Sequence, residues 1–161
     1  MLKIYYYHTK MQVFINALIT IATFTFMEFV AWFAHKYVMH GFLWYLHKDH
    51  HQVEPGFFEK NDSFFLIFAI PSAYCFISGS IYQDFRFFIG LGILIYGICY
   101  FLVHDVIIHQ RFKWMRNWDN TYVRGIRRAH KIHHKHLGKE HGENFGMLIV
   151  PIKYFIEQRK K

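Results

Sequence analysis

Residues 11–34 read MQVFINALITIATFTFMEFVAWFA, 24 residues whose one charge is Glu28. Two further stretches, residues 64–83 (FFLIFAIPSAYCFISGSIYQ) and 87–103 (FFIGLGILIYGICYFLV), carry no charge. A helix needs about 20 apolar residues to cross the hydrocarbon of a bilayer, with about 17 as the lower limit. All three runs reach that length, and together they fill over a third of a small chain. They predict an all-α fold: an integral membrane protein with about three transmembrane helices. The short link Asp84–Phe85–Arg86 predicts a tight helical hairpin between spans two and three. Pro71 falls inside span two, where membrane helices tolerate a kink. Gly90, Gly92 and Gly97 mark a small-residue stripe on span three. Such stripes usually serve close helix packing; making room for a rod-like apolar ligand is the other use.

The rest of the composition agrees. Of 161 residues, 53% are hydrophobic, 21% aromatic and 19% charged, which excludes intrinsic disorder. The length suits a single membrane-embedded domain over 1–161, with no room for a separate reductase domain. Cys75 and Cys99 lie in apolar runs, form no CxxC pair and read as small core residues. The polar and aromatic start, Met1–Lys10, argues against a cleavable signal peptide. The net charge of +8 is a topology signal, not a nucleic-acid footprint. Segments 1–10 and 84–86 carry three of the 19 Lys and Arg, and segments 35–63 and 104–161 carry sixteen. The positive-inside rule places the sixteen-charge side in the cytoplasm, and so predicts an inner-membrane protein with a cytoplasmic helical cap. Phe145–Ile156 (FGMLIVPIKYFI) is apolar but too short to span. It is expected in the interface or packed on the cap, with a fourth crossing left open.

Histidine carries the chemistry. Ten of the 13 His fall into four blocks: His35-KYVM-His40, His47-KD-His50-His51, His104-DVII-His109 and His130-KI-His133-His134. An HxxxxH followed by an HxxHH thus occurs twice, after span one and after span three. Two crossings separate the halves, so both sets return to one side of the membrane. On a helix, positions i, i+3 and i+4 fall at about 0°, 300° and 40°, which puts the three rings of each HxxHH on one face. Five residues rotate an ideal helix by about 140°, so the rings of each HxxxxH diverge. They bind different metals, or the helix is distorted as by a π-bulge, or one ring lies at a frayed end, for which Gly41 after His40 is suited. Imidazole suits Zn, Cu, Fe and Ni. The absence of interleaved Cys excludes Fe–S and Cys-type zinc sites, and no HExxH zincin motif is present. Ten ligands are too many for one ion and point to two.

Carboxylates lie close by. Asp49 and Asp105 are placed to orient ligand imidazoles, or to pair with Lys48 and Arg111. Glu28, seven residues before His35, shares its helix face, and an acid within a span is a functional candidate by default; a hydrogen-bonded structural Glu is the alternative. His8, His136 and His141 fit no block and read as solvated. Trp114, Trp118 and Tyr122 suit an interfacial aromatic belt or the way in for a substrate.

The wording of these blocks resembles the integral-membrane fatty acid hydroxylase and desaturase superfamily, which shares His-rich di-iron sites. The relevant stretches are HKYVMHGFLWYLHKDHH (35–51), HDVIIHQRF (104–112), RRAHKIHHKH (127–136) and ENFGML (143–148). Within that superfamily the chain is most similar to the bacterial β-carotene hydroxylases, over roughly residues 20–155. The wider superfamily usually has four spans, one more than counted here. The resemblance implies O₂-dependent hydroxylation of carbon 3 of the β-ionone ring, taking β-carotene to β-cryptoxanthin and zeaxanthin. It carries the ten block His over as ligands of two non-haem iron ions. The carotenoid would come from the bilayer lipid. No GxGxxG, haem-attachment or CxxC motif is present, so electrons must come from an external donor. An acidic ferredoxin docking on the basic stretch Arg111–Lys139 is the expectation, sensitive to charge reversal at Arg124, Arg127 and Arg128. The rival readings are a lipid or sterol hydroxylase or desaturase on the same scaffold, and a non-catalytic metal-binding membrane protein.

Overall fold

A computed structural model describes residues 2–52 and 54–159, with side chains from residue 9 to residue 158; His8 lies outside the described side chains. Among the described residues the secondary structure is entirely helical. Helix α1 spans Leu2–Phe33, α2 Trp44–His51, α3 Phe65–Tyr82, α4 Arg86–Phe101, α5 Thr121–His133 and α6 Lys153–Arg159. Three helical stretches are long and apolar enough to cross a membrane: Thr9–Phe42, Lys60–Tyr82 and Arg86–Ile108. They contain the three runs read from the sequence apart from Gln83, which falls in the turn after α3. The first and third run further because the backbone stays helical in π form beyond α1 and α4, over Ala34–Phe42 and Leu102–Ile108. Among the described residues there is no fourth such stretch.

The chain forms two compact units. The first comprises Met1–Met27 and Phe65–Gly97. Its helices approach closely where side chains are small, as apolar packing in lipid requires. A Cβ on Gly90 would lie 2.9 Å from the backbone nitrogen of Phe76, and one on Gly92 would lie 2.7 Å from Thr23 Cβ. Gly97 faces open space, so the stripe packs at two of its three positions. Ser72 donates to Gly90 O at 3.0 Å. The helix α3 runs through Pro71. In the hairpin Gln83 takes the left-handed backbone region (φ 54°). Asp84 then starts α4 by accepting from Arg86 N at 3.0 Å and pairing with the Arg86 guanidinium.

The second unit comprises Glu28–Phe64 and Ile98–Lys161. Its core is built on α5. Asn120 caps that helix, its side-chain oxygen accepting from Val123 N at 2.9 Å. Val123, Ile126, Ala129, His130 and His133 then recur at helical spacing and are all buried. Val123, Ile126 and Ala129 pack with Val103, Ile107, Met147, Val150 and Tyr154. The apolar segment 145–156 therefore packs on this core through Met147, Val150 and Tyr154, leaving Ile149, Ile152 and Ile156 exposed, and α6 packs on α5. Trp114, Trp118 and Tyr122 are exposed.

Candidate metal centre

All ten block histidines belong to the second unit, and the turn chemistry of each block places its rings. The HxxxxH blocks lie on the two π-helical segments, with His109 the capping residue just past the second. A turn closed by i→i+5 hydrogen bonds returns residues five apart to one face. The bond from His109 N to His104 O, 2.9 Å, joins the two ligand positions themselves. The ring centroids are 4.5 Å apart for His104 and His109, and 5.3 Å for His35 and His40. Both rings of each HxxxxH fall in one group, so the separate-metal explanation is not observed; the helix is distorted, and its second ring lies at or beside a helix end, at the C-cap for His109 and before the break at Gly41 for His40. Helical backbone angles break at Gly41 (φ −100°, ψ −120°), before α2 begins. In α2, His47, His50 and His51 are all buried. On α5, His130 and His133 share the buried face, and His134 is the residue that closes the helix.

The rings gather into two groups. His35, His40, His47, His51 and His133 each offer one nitrogen, and these nitrogens lie within 4.8 Å of one another; His50, His104, His109 and His130 form a second such set. His134 lies between the groups, its ring 4.4 Å from His51 and 4.5 Å from His130. Each group draws on both halves of the chain.

In the five-His group, every Nδ1 meets an oxygen. His35 meets Phe145 O at 3.1 Å, His40 Lys139 O at 3.1 Å, His51 His136 O at 3.0 Å, His133 Glu143 O at 2.8 Å, and His47 the side-chain oxygen of Asn61 at 2.7 Å. A carbonyl oxygen only accepts, so Nδ1 carries the proton and Nε2 is left as a bare lone pair. These Nε2 atoms face each other: His35 and His47 at 3.2 Å, His40 and His133 at 3.2 Å. The Nε2 of His51 is buried with no partner among the described residues. Lone pairs aimed at one another repel, and a cation between them turns the arrangement favourable. The donor set thus fits metal ions held through Nε2.

Charge points the same way. Burial pushes the His47 and His133 imidazoles down to about 2, His134 to about 3 and His51 to about 4. His50, His109 and His130 are also lowered by burial, with neighbouring imidazoles adding to it. These rings are neutral at pH 7, the form that ligates.

The three carboxylates take different places. Asp105 approaches His104 Nδ1 at 3.3 Å and accepts from Arg111 at 2.8 Å, so it both backs an imidazole and forms an ion pair. Asp49 accepts from Lys60 N at 2.5 Å. It anchors the turn that supplies Asn61 rather than bonding an imidazole through that oxygen. Glu28 accepts the backbone N–H groups of Met147, Leu148 and Ile149 at 3.0 to 3.2 Å. It ties α1 to the segment whose Phe145 carbonyl orients His35. His136 is half-buried and His141 exposed, and neither joins a group. Reasoning from sequence missed Glu59, which accepts from His50 Nδ1 at 2.8 Å, and Asn61. The polar run Glu59–Ser63, close behind an HxxHH block, was the available signal. The backbone carbonyls leave no signal in a sequence.

The chain is similar over most of its length to known proteins. The β-carotene hydroxylase of Paracoccus sp. (strain N81106 / MBIC 01143) is 37% identical over 137 residues, covering 84% of this chain and 85% of that protein. That of Pantoea ananas is 40% identical over 136 residues, covering 84% and 78%. The chloroplastic β-carotene 3-hydroxylase 1 of Arabidopsis thaliana is 36% identical over 129 residues, covering 78% of this chain and 41% of the plant protein. No solved structure gives a significant match. The fatty acid hydroxylase family matches residues 20–155, a stretch that contains all ten clustered histidines, and the chain belongs to that family.

Proposed function

We propose that the chain is a β-carotene 3-hydroxylase, a single membrane-embedded domain holding two non-haem iron ions on the cytoplasmic side of an inner membrane. The observation that carries this reading is the meeting of four separate His blocks in two adjoining groups of inward-facing Nε2 atoms. The names of the homologues supply the substrate. Bound iron would supply O₂ activation and the oxidising power to cleave an unactivated C–H bond. One oxygen atom ends in the ring hydroxyl and the other in water, which consumes two electrons and two protons per turnover. The protein's part is to hold neutral imidazoles in fixed tautomers and to keep the site dry.

The test is product analysis in a carotene-making host. Accumulation of β-cryptoxanthin and zeaxanthin is expected only with the intact chain and only in air. Hydroxylated or desaturated lipid with unchanged β-carotene would favour the rival lipid enzyme. No oxidised product of either kind would favour a metal-binding protein without turnover.

The electrons come from an external donor such as ferredoxin. The basic stretch divides into two kinds of residue. Arg111 is committed to Asp62 and Asp105, and Arg127 donates to the carbonyls of Ile107, Trp118 and Arg116. Arg124 pairs with Asp119. Arg128, Lys131, Lys135 and Lys139 are exposed and form the surface offered to an acidic partner. Reversing Arg128 and Lys131 to Glu is expected to slow ferredoxin-supported turnover by roughly tenfold at low salt and to flatten its salt dependence. Turnover driven by a small chemical reductant should hardly change. Equal kinetics with ferredoxin would exclude this face.

A further inference from the structure

We infer that the two metal positions are unequal, because carboxylates back two imidazoles of the four-His group, His50 and His104, whereas neutral oxygens back all five of the other group. Retention of metal at the four-His position alone then depends on Glu59 and Asp105. The inference rests on the two-metal reading above.

In the five-His group the partners of Nδ1 are four backbone carbonyls and the Asn61 amide. In the four-His group, His50 Nδ1 meets Glu59 Oε2 at 2.8 Å and His104 Nδ1 meets Asp105 Oδ2 at 3.3 Å. A carboxylate draws the Nδ1 proton and makes the opposite Nε2 a stronger donor. It also sets negative charge near the cation, in a site where water screens poorly.

One guanidinium holds Asp105 directly and reaches the Glu59 backbone through Asp62. Arg111 Nη1 lies 2.8 Å from Asp105 Oδ1 and 2.7 Å from Asp62 Oδ1. Asp62 in turn accepts from Glu59 N at 3.1 Å. One cation against three carboxylates leaves the cluster negative beside the four-His group. The nitrogens group as five and four, with His134 Nε2 2.8 Å from His130 Nε2 at the edge of the smaller set. Glu59, Asp105 and Arg111 are positioning residues that act through His50 and His104.

The test reads metal, not turnover. The full chain in detergent is loaded anaerobically with Fe²⁺, or with Co²⁺ as a spectroscopic probe, and challenged with graded chelator. Glu59→Gln and Asp105→Asn are each expected to weaken one position by about 10–100-fold, so that metal per chain falls from two to one at a chelator level the parent withstands. Glu59→Asp should restore much of the loss. Asn61→Asp adds charge to the five-His group and should make the other ion harder to remove, a gain that a misfolded variant cannot mimic. Two ions retained with parental affinity in both Glu59→Gln and Asp105→Asn would overturn the inference. So would equal loss of both ions. A parent that holds two ions and makes no hydroxylated carotenoid would refute the proposed activity and leave the inequality standing.

Discussion

Replacing His50 by Ala is expected to lower O₂-dependent turnover by more than about 100-fold and to remove iron from the four-His group. His50 stands at the junction of the two metal groups. Its Nε2 lies 3.1 Å from His104 Nε2, and its ring centroid lies 4.4 Å from His109 and 4.7 Å from His134. Loss of a partner that merely orients a ligand costs about 10–100-fold, so loss of the ligand should exceed that. Metal analysis and product chromatography measure the two effects separately. Stability gives a second signature. Truncating a large buried side chain usually costs about 2–5 kcal/mol. Here the deleted ring is one of several neutral imidazoles packed with lone pairs converging, an arrangement that disfavours the metal-free fold. The metal-free His50→Leu protein should therefore unfold no more easily than the metal-free parent, and the parent should be the more stable only with metal bound. Full turnover with normal iron content in His50→Ala would remove this residue from the ligand set.

How much of this was legible in the sequence depended on periodicity. The spans were legible because charge-free length is a direct consequence of lipid thickness. The HxxHH blocks were legible because i, i+3 and i+4 share a face on any α-helix, as in α2 and α5. HxxxxH was ambiguous for the same reason: its five-residue spacing belongs to the i→i+5 turn, and the two segments that adopt it, Ala34–Phe42 and Leu102–Ile108, show no composition that demands it. In the first of them the rings reach Phe145 O and Lys139 O, from the far end of the chain. Long-range carbonyl partners have no residue type and cannot be read in advance. Glu28 shows the opposite limit. Its position in a span marked it as consequential, yet its partners are three backbone N–H groups some 120 residues away.

Lowering the pH from 7 to 5 is expected to destabilise the metal-free protein steeply. The unfolded chain's imidazoles take up protons below 6.5, their ordinary value. In the folded protein burial holds His51 near 4, His134 near 3, and His47 and His133 near 2. Between those limits the unfolded state binds more protons than the native state, so stability falls as pH falls. The contribution is intact above about 6.5. Each such imidazole then removes up to about 1.4 kcal/mol per pH unit until its own folded value is reached. Four rings titrating in parallel remove roughly 8 kcal/mol between pH 6.5 and 5, an amount comparable with the whole stability of a domain, about 5–15 kcal/mol. Carboxylates cannot produce the same curve, because their ordinary values lie near 4 and their losses begin lower. Bound metal opposes the collapse, since it competes with protons for Nε2, and it should be released over the same range. Thermal midpoints of metal-free and metal-loaded protein in detergent between pH 7.5 and 4.5 measure this directly. A midpoint that stays level from pH 7 to 5 without metal would mean that the rings are already solvated, and the packed neutral cluster on which the whole site depends would not exist.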